Sequence, residues 1–145
     1  MSRYFINVMR YDNWLVDQER DLSLLAIGDS KVKFASSFEV GDKIITYVSS
    51  RKSCFTAIRT ITSGDMKLSK KDLGYDEPYF RYIDTKADVI LEEHKWLPIK
   101  SMLGELELTK GKKYWMNMFM GAIKEISIED FQVISKKFEG LNKRI

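Results

Sequence analysis

Cysteine and histidine are nearly absent from this 145-residue chain, which contains one of each, Cys54 and His94. A single cysteine cannot form an internal disulfide, and it excludes a metal site built from cysteines. Cys54 lies in an apolar stretch that predicts a strand, where a lone thiol behaves as a small buried hydrophobe. His94 has charged neighbours on both sides, which is typical of an exposed turn, and no nucleophile motif lies near it. Standard hydrolase chemistry is therefore poorly supported.

Long apolar runs and a strong charge of either sign are also missing. No stretch approaches the ~18 apolar residues of a membrane span, so no membrane partner is expected. The formal net charge of +3 is compatible with a polyanionic partner, although it is mild for a nucleic-acid-binding protein. The first residues lack the apolar segment and cleavage site of a signal peptide, so we expect a cytoplasmic protein.

The length and composition predict one globular domain that spans residues 1–145. A chain of this size supports its own hydrophobic core. Apolar residues make up 44% and charged residues 31%, which is ordinary for such a domain.

Stretches rich in β-branched and aromatic residues predict a mostly β domain of about six strands. A tight turn with Gly41 at positive φ launches the strand that begins at Lys43, and this strand should be central because it is apolar on both faces. The predicted strands cover residues 3–9, 43–49, 55–62, 79–84 and 87–91.

The remaining segments predict helices and loops. Ser127 is a good N-cap for a C-terminal helix, along which apolar residues recur at helical spacing until Gly140. Shorter helices are predicted over 17–25 and 98–103, with a loop at 12–14. The polar segment 65–78 predicts a long surface excursion, which in a compact domain is usually functional or mobile. The sum is an α+β fold, a small barrel flanked by short helices and a C-terminal helix.

The segment from Lys110 to Gly121 places Trp115, Asn117 and Phe119 beside several lysines. Aromatic faces beside an amide and cations suit a nucleobase, which needs a stacking surface and hydrogen bonds at its edge. The spacing of Trp115 and Phe119 equally fits two core residues of a short helix.

Taken in this order, the segments resemble the EVE domain, a member of the PUA-like superfamily related to the YTH and ASCH domains. The resemblance covers nearly the whole chain. It rests on Trp14 after the first strand, on the Gly41-Asp42 turn with its following strand, and on the block from Lys112 to Phe131. One departure is the stretch 25–31, where many EVE domains carry a Trp-Gly-Val type of segment.

The resemblance implies a PUA-like pseudo-barrel with a pocket for a base, often a modified one, flipped out of a nucleic acid. Flipping costs a few kcal/mol, which stacking at roughly 1–3 kcal/mol per base can offset. It implies no metal, no cofactor and no catalysis. The partner would be RNA or DNA, and which base or modification is recognised stays open, as does the oligomeric state.

The resemblance also implies which residues form the pocket. Trp14, Trp115 and Phe119 match family aromatics near it, and Asn7 and Ser49 match positions whose polar atoms face it. We add Asn117, since an amide can both donate to and accept from a base edge. Non-specific phosphate contacts are predicted for Arg51, Lys52, Lys112 and Lys113. For each of these positions a structural role, in the core, at a strand end or in solvent, is the alternative.

Two other classes of function remain open. An enzyme acting on a nucleotide or RNA would draw its acid and base from Asp12, Asp42 or Glu125, although no two carboxylates stand at a recognisable spacing. A small-molecule or protein-interaction module could use the same aromatic pocket, because such a pocket also suits cations and other flat rings.

Overall fold

A computed structural model describes residues 2–49 and 52–142, the side chain of Asn142 excepted. In these residues it contains eight strands and three α-helices. The strands are β1 (Tyr4–Met9), β2 (Leu24–Ile27), β3 (Lys43–Val48), β4 (Cys54–Ile61), β5 (Lys67–Leu68), β6 (Arg81–Ile90), β7 (Leu97–Pro98) and β8 (Ile123–Ile126). The helices are α1 (Tyr11–Glu19), α2 (Val32–Ala35) and α3 (Ile128–Asn142), with short 3₁₀ turns at Asp29–Lys31, Glu93–Lys95, Ile99–Ser101 and Trp115–Phe119.

Six of the strands form one curled sheet in the order β2-β6-β4-β3-β1-β8, to which β5 and β7 add short pieces. Strands β1 and β3 pair in parallel, and the other pairs are antiparallel. The end strands β2 and β8 do not pair with each other, so the barrel is open between them. This half-barrel with short helices and a C-terminal helix confirms the α+β fold expected from the sequence.

Apolar side chains cover both faces of the sheet. Neighbouring residues in a strand point to opposite faces, so Phe5 and Ile44 join one buried cluster while Ile6 and Ile45 join the other. Strand β3 lies between β1 and β4 and is buried on both sides, as its sequence predicts. Among the described residues, no helix has the length and apolar character to cross a membrane.

The region after β1 differs from the prediction. Residues 11–19 form α1 where a loop was expected, and β2 occupies part of the helix predicted over 17–25. The helix depends on a tertiary contact, because Trp14 is buried in the core. It ends at Glu19, and the chain then reverses through Asp21 and Leu22, which both take a φ of 54°. Non-glycine residues rarely adopt that conformation, so the sequence carried no signal for this reversal.

Three smaller predictions also need correction. The strands predicted over 79–84 and 87–91 form one continuous strand, β6, which pairs with β4 through a register shift beside Arg59. The segment predicted as a helix over 98–103 is the end of β7 followed by a 3₁₀ turn. Helix α3 continues past Gly140 to Asn142, because Gly140 does not take the positive φ that would end it.

The start of α3 is capped as predicted, since the Asp130 amide donates to the Ser127 hydroxyl oxygen at 3.1 Å. Replacing Ser127 with Ala should lower the free energy of unfolding by about 1 kcal/mol. Ser135→Ala, in the same helix but away from its end, should change it by less than about 0.5 kcal/mol. Chemical denaturation of the two variants checks the difference, and equal changes would contradict the role of the cap.

Candidate functional site

A cavity of about 430 Å³ occupies the open side of the half-barrel. One wall is formed by β2 and the following Gly28, and the opposite wall is the end of β1 with residues 119–123. Helix α1 and residues 75–79 close it from a third side. The volume is typical of a site for a small molecule or a single nucleotide base.

Asn7 is a polar residue of the cavity wall whose side-chain amide has no hydrogen-bond partner among the described residues. It lies on β1 between Thr46 of β3 and Ile123 of β8, and it is 8% exposed. Its side chain makes no hydrogen bond to any residue that the structure describes. Its amide atoms are not sealed off by protein, so they open into the space of the cavity. An amide kept in this state on a cavity wall is available to a ligand.

Strand β2 adds main-chain groups on the opposite wall. The Thr85 amide donates to the Ser23 carbonyl at 3.0 Å. In an antiparallel pair every second residue of a strand directs its peptide groups to the neighbouring strand, so this bond fixes which residues of β2 face β6. Leu25 and Ile27 therefore turn their peptide groups to β6, and Ala26 turns its N–H and C=O to the open edge. The side chains of β2 at the cavity are aliphatic, so this wall offers hydrogen bonds without a stacking surface.

A buried ion pair joins Asp17, which lines the cavity, to Arg59 of β4. Arg59 is fully buried, and its Nη2 donates to Asp17 at 2.8 Å and to the Thr46 hydroxyl at 3.1 Å. Its Nη1 donates to the Leu24 carbonyl at 3.0 Å. The Tyr75 hydroxyl donates to the other oxygen of Asp17. Burial and the nearby Asp17 carboxylate raise the pKa of Tyr75, so the hydroxyl keeps its proton and remains a donor at neutral pH.

The excursion predicted over 65–78 forms a wall of the cavity, and we call residues 69–79 the arm. Asn13 and Asp76 exchange two hydrogen bonds, of 2.9 and 3.0 Å, between α1 and the arm. The Arg20 guanidinium donates to the Leu73 carbonyl at 2.6 Å and lies 5.3 Å over the Tyr75 ring. The arm is thus anchored to α1 by several polar contacts.

Three aromatic rings line the cavity. Tyr75 and Tyr79 meet edge to face at 5.7 Å on the arm. Phe119, on the opposite wall, stacks on Tyr47 with ring centroids 4.3 Å apart. Gly28 lies close to Tyr79, because a Cβ there would come within 3.3 Å of its ring. The absence of a side chain at Gly28, directly after β2, therefore leaves room for the Tyr79 ring.

The structure brings three of the six predicted base-binding residues to the cavity: Asn7, Ser49 and Phe119. The Ser49 hydroxyl donates to the Met9 carbonyl at 3.3 Å. The other three lie elsewhere. Trp14 is 1% exposed and packs edge-on against Trp96, so it belongs to the core. Trp115 is half-buried behind Phe119, with ring centroids 6.3 Å apart, and Asn117 is exposed outside the cavity.

The predicted phosphate contacts have different surroundings. Lys52 pairs with Glu93 at 3.0 Å and lies over the Tyr11 ring, so its charge is largely neutralised. Lys112 and Lys113 are exposed. Arg51 lies outside the described residues.

Sequence reasoning missed several residues that line the cavity. Arg10 and Lys31 supply cations at its border, and Asn13, Tyr75 and Tyr79 complete its walls. Two tyrosines within an otherwise polar excursion were a usable signal, since such a segment has no local core to bury them. Arg10 and Lys31 carried no comparable signal.

The carboxylates considered for catalysis do not line the cavity. Asp42 is buried and accepts hydrogen bonds from the main-chain amides of Arg3 and Glu39, both at 2.9 Å, so it holds the turn before β3. Glu125 lies 3.8 Å from Arg3 in an ion pair. Within the described ranges, no group of three or more His, Cys, Asp or Glu residues is placed to hold a metal ion.

Comparisons with known proteins identify the fold. No protein-family model and no curated protein sequence matches the chain, but solved structures do. The YTH domain of the Zygosaccharomyces rouxii MRB1 protein, in complex with N6-methyladenosine RNA, has a TM-score of 0.68 at 14% identity, covering 95% of this chain and 87% of that one. The Mmi1 YTH domain, in complex with RNA, has a TM-score of 0.64 at 13% identity, covering 99% and 82%.

A third match is Rpa0253 from Rhodopseudomonas palustris, with a TM-score of 0.63 at 16% identity, covering 96% of this chain and 94% of that one. Identities this low establish the fold alone. The chain therefore has a YTH-like fold.

Proposed function

We propose that this protein is a nucleic-acid-binding module, with RNA as the expected partner, that holds one unstacked base in the cavity between β2 and β8. The observation that carries the proposal is the buried amide of Asn7, which faces the cavity without a partner among the described residues. An amide has both a donor and an acceptor, which is what the edge of a base requires.

Several other groups of the cavity support the same ligand. Phe119, Tyr75 and Tyr79 provide apolar and aromatic walls for a flat ring. The main chain of Ala26 offers one further donor and acceptor. Arg10 and Lys31 at the border can contact the phosphates on either side of the base.

The comparisons support RNA as the partner. The MRB1 domain was solved with N6-methyladenosine RNA and the Mmi1 domain with RNA. We propose that the base read here is also a modified one, since a methyl group buried against an aromatic wall would add about 0.8 kcal/mol. Among YTH-like folds we assign the chain to the EVE domains, because of the Gly41-Asp42 turn and the block from Lys112 to Phe131.

Fluorescence anisotropy with labelled single-stranded RNA octamers tests the proposal. The octamers should differ only in one central base: adenine, N6-methyladenine, cytosine or 5-methylcytosine. We expect the affinities to differ by at least about tenfold between the best and worst of these bases, or about 1.4 kcal/mol. Equal affinities would contradict a base-reading cavity. Free nucleosides that bind as tightly as any octamer would favour the small-molecule alternative.

A further inference from the structure

A second surface adjoins the cavity, and we call residues 110–124 the lysine strip. It carries Lys110, Lys112, Lys113 and Lys124, and no acidic residue occurs between Glu107 and Glu125. None of the four lysines forms an ion pair with a residue that the structure describes. The chain as a whole is nearly balanced in charge, so this is a local excess of positive charge.

The lysine strip also exposes large apolar side chains. Tyr114 is 63% exposed, Met116 54% and Met120 73%. Scattered apolar residues on a surface are ordinary, but a cluster of them marks an interaction site. The strip is continuous with the cavity, because Phe119 and Gly121 line it.

The exposure does not come from a frayed segment, since the strip is anchored at both ends. The buried Asp130 carboxylate accepts hydrogen bonds from the amides of Glu107 and Leu108 at 2.7 and 3.0 Å. At the other end, the Val8 amide donates to the Ala122 carbonyl at 2.8 Å. The fold thus holds these apolar side chains in solvent.

Two of these positive charges, those of Lys112 and Lys124, lie near each other. Burial and the nearby charge of Lys112 lower the pKa of Lys124. The Lys113 ammonium lies 5.5 Å over the Tyr114 ring. This surface combines lysines with an exposed aromatic ring, and its segment contains no carboxylate. Such a surface suits a polymer that carries negative charges and flat apolar groups. A single-stranded nucleic acid has this chemistry.

We propose that the lysine strip is a second subsite, which binds the nucleotides that flank the base in the cavity. Tyr114 and Met120 give a stacking surface for a neighbouring base, and the lysines contact its phosphates. This inference rests on the proposed function of the cavity. It means that the ligand is a single strand several nucleotides long, and that a lone nucleoside misses much of the binding surface.

The double variant Tyr114→Ala with Met120→Ala tests the inference in the anisotropy assay. We expect it to weaken octamer binding by about tenfold or more, while the affinity for the nucleoside that carries the preferred base stays within about twofold. Tyr114→Phe should retain octamer binding, because the stacking face remains. Val40→Ala, at a position 65% exposed on the turn before β3, is the matched control and should change neither affinity.

A second variant pair separates charge from stacking. Lys112→Ala with Lys113→Ala should reduce the slope of log affinity against log salt concentration by about 1.4, because each lost phosphate contact on a single strand contributes about 0.7. An unchanged slope would overturn the assignment of these lysines.

The outcomes distinguish the two proposals. Octamer binding that survives the Tyr114 and Met120 changes, with base preference intact, would overturn the strip and leave the cavity in place. Octamer binding that falls in the double variant, while wild type shows no base preference, would support the strip and overturn the cavity. Tighter binding to vesicles of phosphatidylserine and phosphatidylcholine than to RNA, lost in the double variant, would overturn the strip in favour of a membrane surface.

Discussion

Replacing Asp17 with Asn is expected to lower the free energy of unfolding by about 3–5 kcal/mol. Arg59 is fully buried, and Asp17 is the one carboxylate among the described residues that pairs with it. The change would leave a buried guanidinium without a counter-charge. Taking a charge out of water is tolerated only when it is paired and hydrogen-bonded. The loss of stability should therefore be as large as that seen when a buried ion pair is broken.

Asp29→Asn is a matched control for this variant. Asp29 also pairs with an arginine, Arg81, but its side chain is 94% exposed. Exposed ion pairs contribute little to stability, because water screens both partners. Denaturant unfolding of the two variants should therefore give a large loss for Asp17→Asn and almost none for Asp29→Asn. Equal losses would contradict a supporting role for the buried pair.

Asp17 also holds the arm against the barrel, because its second carboxylate oxygen accepts the hydrogen bond from Tyr75. A change at Tyr75 measures this contact separately from the ion pair. Tyr75→Phe removes the hydrogen bond to Asp17 and keeps the ring, which should cost about 1 kcal/mol. The ion pair with Arg59 remains in this variant. Tyr75→Phe should thus be much less destabilising than Asp17→Asn.

Replacing Asn7 with Leu is expected to abolish the preference among bases. The substitution keeps the branched shape and the number of heavy atoms of the side chain and removes both its donor and its acceptor. We expect the preferred octamer to bind roughly tenfold to a hundredfold more weakly, or about 1.4–2.8 kcal/mol, because a buried polar group matched to its ligand discriminates strongly. Binding to the other octamers should change little.

Asn7→Leu should weaken binding without lowering the stability of the protein. The Asn7 amide has no partner among the described residues, so a buried apolar side chain in its place should leave the free energy of unfolding unchanged or raise it. A residue kept for packing would show the reverse pattern, a loss of stability with binding intact. Anisotropy and denaturant unfolding of the same variant distinguish the two.

Asn117→Leu is the matched control for Asn7→Leu. It is the same chemical change at an exposed position outside the cavity. We expect it to leave the ratio of affinities among the octamers unchanged. A loss of base preference in Asn117→Leu, with Asn7→Leu unaffected, would move the reading of the base from the cavity to the lysine strip.

The sequence predicted the elements that have strong local signals. The turn at Gly41, the central strand β3 and the cap at Ser127 depend on residues close together in the chain, and all three are confirmed. Helix α1 was missed because it depends on the burial of Trp14 against Trp96, a contact between distant segments. Local turn preferences at Asp12 and Asn13 pointed to a loop instead.

The cavity was only partly predictable for the same reason. Aromatic residue type does not tell a residue enclosed in the core from one that lines a cavity. The sequence assigned both Trp14 and Phe119 to the pocket, but only Phe119 lines the cavity. The β2 wall depends on pairing with β6, which no local pattern reveals. The departure from the EVE pattern at 25–31 falls on this wall, where aliphatic residues lie beside the aromatic arm.

Two-dimensional ¹H–¹⁵N NMR of the protein, titrated with octamers that carry adenine or N6-methyladenine, tests the base-reading cavity most directly. We predict that the amide signals of Asn7, Ala26, Gly28 and Phe119, and those of Tyr75, Asp76, Glu77 and Tyr79 on the arm, shift together, and that these shifts depend on the base. The signals of Lys112, Lys113 and Tyr114, which belong to the lysine strip but do not line the cavity, should shift with either octamer. Shifts confined to residues 110–118, the same for both bases and with no change at Asn7 or Ala26, would contradict a base in the cavity.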